Sequence, residues 1–131
     1  DSMAGRFDAL SMILALVLLR MAGDTALRAP SARLTEHFIA DVDGQLRQEG
    51  VGDLVVGKRI ARLMSVLAGR IEACRTGLGA ADPAVLEAAV QRNVTLLDGA
   101  GPALVAEELR VLASKLEALP NAALLEWELD R

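Results

Sequence analysis

The chain predicts an all-α fold, a single-domain bundle of about six helices spanning residues 1–131. Three observations predict it. Hydrophobic residues make up 53% of the sequence while aromatic residues make up only 2%, so the core must be aliphatic. Strands usually draw on aromatic and β-branched residues, so this composition favours helices. Apolar residues also recur at three- and four-residue spacing, and the repeat breaks at glycine and proline.

The first helix is expected over about residues 6–21, stopped by Gly23. Its Leu10, Met12, Ile13, Leu14, Leu16, Val17, Leu18 and Leu19 cover the whole circumference. Such a helix is either central in a bundle or leaves a face for a partner. The apolar run ends at Arg20, short of the roughly 20 residues needed to span a bilayer. A second helix is expected to start near Ser31, just after Pro30, with Leu34, Phe38, Val42 and Leu46 as its buried stripe. Gly50 supplies the stop, and Asp53 is placed to cap the third helix.

That third helix carries the cleanest pattern: Val56, Ile60, Leu63, Leu67, Ile71 and Cys74 on one face, with Met64 beside them. Lys58, Arg59, Arg62 and Arg70 are expected on the opposite side. Gly77 and Gly79 open a loop, and Asp82-Pro83 starts a fourth helix with Leu86, Ala89, Val90, Val94 and Leu97 inward. After Asp98-Gly-Ala-Gly-Pro102, a fifth helix presents Val105, Leu109, Leu112, Leu116 and Leu119. Pro120-Asn121 restarts a short last helix with Leu124, Leu125 and Trp127.

Several function classes lose their support. A net charge of -4 gives no footprint for nucleic acid, and Phe7, Phe38 and Trp127 are too few to stack bases. One cysteine, Cys74, allows no intramolecular disulfide and fits a reducing compartment. It falls on an apolar stripe, as an inert core thiol would. Asp41-Val-Asp43-Gly44 lacks the glycine and glutamate spacing of a calcium loop. Gly50-Val-Gly52 follows no strand and lacks the third glycine of a dinucleotide site. His37 and Asp41 stand i, i+4 and share a helix face, but no further ligand or nucleophile accompanies them. No metal or other cofactor is expected. Lys58, Arg59 and Arg62 are either a solvated face or an anchor for anionic lipid heads or an RNA-rich partner.

Two strings carry a family resemblance. The opening Asp1-Ser-Met-Ala-Gly-Arg-Phe-Asp-Ala-Leu10, followed by an apolar helix and Arg20-Met21, resembles the start of the ubiquinol–cytochrome c chaperone domain in its bacterial branch. So does Glu36-His-Phe-Ile-Ala-Asp-Val-Asp-Gly-Gln-Leu-Arg47 with Glu49-Gly-Val-Gly-Asp-Leu-Val-Val-Gly-Lys58. The likeness is strongest up to about residue 75. It implies a non-enzymatic assembly factor for ubiquinol–cytochrome c reductase, acting on newly made cytochrome b or another subunit. The expected place is cytoplasmic, peripheral at the membrane, with a ribosome or an anionic membrane surface as further partners. Family members carry another helical segment ahead of the opening motif, so this domain is expected to lack one. The expected client surface comprises Arg6, Phe7, Asp8, His37, Phe38, Asp41, Asp43, Arg47 and Lys58. Two rival readings are a small-ligand or lipid-binding helical module around the first helix, and a hydrolase or metal enzyme built on His37.

Overall fold

The computed structural model describes residues 3–93 and 101–126, with side chains from Leu10 onward, Asn93 excepted. Among these residues there are six α-helices and no strand. They are α1 (Met3–Ala22), α2 (Arg28–Gln48), α3 (Asp53–Gly79), α4 (Pro83–Asn93), α5 (Pro102–Ala118) and α6 (Asn121–Leu124), with a 3-10 turn at Thr25–Leu27 before α2.

Helix α1 takes the central position. Met12, Leu16 and Met21 join Leu27, Cys74, Leu86, Val90, Ala106, Leu109, Leu116 and Leu124 in one buried cluster. Its Leu14, Ala15 and Leu18 form a second cluster with Leu67, against which Phe38, Leu34 and Ile71 pack. One helix thereby serves two cores, one shared with α4–α6 and Cys74 of α3, the other with Leu67 of α3 and Phe38 of α2. From Leu10 to Leu19 the all-round apolar sequence is used on most faces, with Leu10 and Ile13 exposed.

The starts of the helices follow from local chemistry. Asp24 Oδ1 accepts from the Ala26 amide at 2.9 Å and caps the 3-10 turn. Helix α2 then starts at Arg28, earlier than its sequence predicts, with Pro30 inside the first turn. A first-turn amide has no intrahelical acceptor, so proline costs nothing there. Asp82 caps α4 by accepting from the Ala84 amide at 3.0 Å, with Pro83 first in the helix. Asp53 does not cap α3: Gly52 holds that place, and Asp53 is the first helical residue. Leu119 lies half out at the end of α5, while Val94, Leu97 and Trp127 fall outside the described residues.

Along the predicted stripe of α3, Val56, Leu63, Leu67 and Cys74 are buried, and Ile60 and Ile71 are half-buried. Arg70 departs from expectation. It is 6% exposed, and its Nη1 donates to Ser11 Oγ of α1. Arg70 stands seven residues after Leu63, which returns it to the buried side of the helix. Its guanidinium and the wholly buried Ser11 hydroxyl join α1 to α3 through the interior.

Helices α3 and α4 approach closely at Gly77. A Cβ there would lie 2.9 Å from Leu86 Cα and 2.8 Å from its Cδ1. Glycine within a helix normally costs up to about 1 kcal/mol against alanine. At Gly77 the overlap, worth about 1–3 kcal/mol, outweighs that gain. At Gly57 a Cβ meets nothing within 4 Å. Gly77→Ala is therefore expected to lower the thermal midpoint and Gly57→Ala to raise it, as scanning calorimetry of the two variants would show. Ser11→Ala is expected to cost about 1–3 kcal/mol in urea unfolding, because it removes an acceptor from a desolvated guanidinium.

Candidate functional site

The chain turns from α2 to α3 through Gly50, whose φ of +86° lies in the left-handed region that favours glycine. The Glu49, Gly50 and Val51 amides donate to Gln45, Arg47 and Leu46 carbonyls at 3.0–3.1 Å and close the helix end. A side-chain clamp holds the corner. Arg47 Nε donates to Asp43 Oδ1 and Oδ2 at 3.1 and 3.2 Å, and its Nη1 donates to Asp53 Oδ1 across the turn. The Asp53 bond foremost, and then Asp43, raises the already high pKa of Arg47. Asp43 and Arg47, expected on the client surface, thus engage each other and the start of α3.

Behind this corner an open groove of about 320 Å³ lies between α2 and α3. Val42 and Leu46 of α2 and Leu63 and Val66 of α3 line it with apolar side chains. Arg59 and Arg62 stand along it, with the buried Arg70 at one end. Arg59 and Arg62 are exposed, and among the described residues neither has a carboxylate partner. Elsewhere on the surface, Arg75 pairs with Glu72, and the half-buried Arg110 lies 3.9 Å from Glu107. Lys58 is exposed one position from Arg59. At the start of α3, Leu54 and Val55 are exposed, Leu54 by 73%.

The other expected residues are dispersed. Phe38 is half-buried and packs on the α1–α3 cluster one turn before Val42, so it supports the groove from beneath. His37 is half-buried and Asp41 exposed on α2. Among the described residues no group of three histidine, cysteine or acidic side chains could hold a metal ion. Arg6, Phe7 and Asp8 lie in the first turns of α1, and their side chains fall outside the described residues. The spacing of Val42 with Leu46, and of Arg59 and Arg62 with Val66, was the available signal for the groove. A buried stripe and a solvated face were the simpler expectations for those residues.

A larger cleft, about 440 Å³, lies among Leu16, Leu19, Leu78, Arg110 and Ala113. Its cations have structural work. Arg20 donates to the Leu116 and Leu119 carbonyls, both at 3.0 Å, and to Asn121 Oδ1 at 3.2 Å. It thereby satisfies the free carbonyls at the end of α5. Asn121 donates in turn to Asp24 at 2.7 Å, and this bond leads the lowering of the Asp24 pKa.

Sequence comparison places these elements in a family. The chain matches the ubiquinol–cytochrome C chaperone profile over residues 1–129. The chain belongs to the ubiquinol–cytochrome c chaperone family. The fold agrees: it is similar to the crystal structure of the Cbp3 homolog from Brucella abortus, with a TM-score of 0.78 and 32% identity. That likeness covers 95% of this chain and 70% of the other. No curated protein matches the chain. Among the described residues of this chaperone-family domain, no helix is long and apolar enough to cross a membrane.

Cys74 is fully buried, with its Sγ 3.9 Å from Met12 Sδ, and burial pushes its thiol from 9.0 to about 11. The thiolate is the reactive form, so Cys74 is held inert. It is expected to resist iodoacetamide in the native protein at pH 8 and to react on unfolding in urea, as mass spectrometry would show. The raised pKa also sets a direction: the unfolded thiol loses its proton first. The contribution is full below 9.0 and is lost as pH rises through about 11.

Proposed function

We propose that this domain is a non-enzymatic assembly chaperone for ubiquinol–cytochrome c reductase that holds newly made cytochrome b in the α2–α3 groove. Membership of the family supports the assembly role. The observation that carries the site is the apolar lining of Val42, Leu46, Leu63 and Val66 beside exposed arginines. An apolar stripe between two helices suits a client helix laid along it. Lys58 and Phe38 belong to this site, Lys58 beside the arginines and Phe38 beneath the groove. Asp43 and Arg47 shape it by fixing the corner, and His37 and Asp41 flank it on α2.

Magnitudes fit a transient hold. Each ~100 Å² of apolar surface removed from water gains about 2.5 kcal/mol. Association itself costs about 4–15 kcal/mol, so such a grip is reversible. A chaperone that must later release its client needs that balance. Contact with a ribosome or an anionic membrane surface has only the charges of Lys58, Arg59 and Arg62 behind it.

The test is co-purification of cytochrome b with the tagged protein from cells that make the reductase. The double variant Val42→Ser, Val66→Ser is expected to keep its helical circular dichroism and lose most of the captured cytochrome b. Undiminished capture by this folded variant would sink the groove as the client site. Normal cytochrome b levels in cells lacking the protein would sink the assembly role.

A further inference from the structure

We infer that the α2–α3 groove selects an acidic amphipathic helix, whose carboxylates meet Arg59 and Arg62 while its apolar stripe lies on Val42, Leu46, Leu63 and Val66. This inference rests on the groove being the client site and names the chemistry of the segment it takes.

Charge carries the case. The chain as a whole is acidic, at -4, yet α3 has no Asp or Glu from Leu54 to Ile71 and has Lys58, Arg59, Arg62 and Arg70 within that span. At the corner, Asp43 and Asp53 are both engaged by Arg47, and Glu49 is exposed at the end of α2. Asp43 and Asp53 therefore do little to offset the cations beyond the corner. Arg70 is committed to Ser11 in the interior, which leaves Arg59 and Arg62 as the guanidiniums facing outward. Neither has a carboxylate partner among the described residues.

Spacing defines the complement. Arg59 and Arg62 stand three residues apart on a helix, so their side chains emerge about 5–6 Å from one another. Carboxylates three or four residues apart on a docked helix have the same separation. Arginine forks pair with carboxylates in a fixed geometry, and desolvation beside an apolar lining strengthens the pairing. Uncharged apolar helices would leave both guanidiniums partly desolvated without acceptors. A basic helix would meet repulsion. The groove thereby discriminates by charge as well as by apolar contact.

The test uses the full chain and three labelled peptides of one length and one leucine stripe, differing only at two flanking positions: glutamate, glutamine or lysine. Fluorescence anisotropy is expected to show the glutamate peptide binding about tenfold tighter than the glutamine peptide, and the lysine peptide weakest. Arg59→Gln, Arg62→Gln is expected to erase the glutamate preference while leaving the glutamine peptide nearly unchanged. Equal binding of all three peptides overturns the inference. So does tight binding to phosphatidylglycerol vesicles that competes with the glutamate peptide, because it makes the arginines a lipid site. Cytochrome b capture separates this inference from the groove reading. If V42S/V66S loses capture while R59Q/R62Q keeps it, charge selection fails and the apolar groove stands. If both lose capture and the peptides rank as stated, both hold.

Discussion

Everything in this bundle depends on burying one helix from two sides. From Leu10 to Leu19 helix α1 is almost wholly apolar, so α3 and α2 cover Leu14, Ala15 and Leu18 while α4, α5, α6 and Cys74 of α3 pack with Met12, Leu16 and Met21. With so few aromatic residues, aliphatic side chains must fill the space by close approach. Gly77 against Leu86 is where that approach is tightest, and Ala15 and Ala106 are buried where little space is left. The polar exceptions are made to hold the same helix. Ser11 meets Arg70 at one level of α1, and Arg20 reaches the end of α5 at another. Both tie α1 to elements far away in sequence.

Much of the fold was legible because short-range periodicity decides it. The α3 stripe of Val56, Leu63, Leu67 and Cys74 needs only a helical repeat to be read. Asp82 and Pro83 announce α4 by capping chemistry alone. What stayed hidden depends on partners. Arg70 was expected in solvent because arginine usually lies there, yet Ser11, 59 residues away, gives it a buried acceptor. Asp53 had the look of a cap until Arg47, six residues earlier, drew its carboxylate across the corner.

The candidate site divides the same way. Family strings pointed to the α2–α3 corner, and the structure gives that corner its clamp and its groove. In that region Phe38 packs on the α1–α3 cluster, Asp43 and Arg47 brace the turn, and Lys58 is exposed next to Arg59. Arg59 and Arg62 were visible as a basic cluster, but only the packing of α2 beside α3 sets them next to an apolar lining. A cluster on a convex helix and a cluster beside a groove have the same sequence.

Helix α2 has a thermodynamic character of its own. Over 21 residues it buries only Pro30 completely, and Leu34, Phe38, Val42 and Leu46 are half-covered. Its attachment combines the buried Pro30 turn, the partial packing of Leu34 and Phe38, and the exposed Arg47 clamp. Elements with few buried contacts open at lower free energy than the rest of a domain. The α2 wall of the groove is thus held less firmly than α1 and α3, which both clusters engage. A cavity with one soft wall and one rigid wall can widen for occupants of different girth without unfolding the protein. That tolerance suits a holder of incomplete, conformationally variable chains better than a receptor for one finished shape.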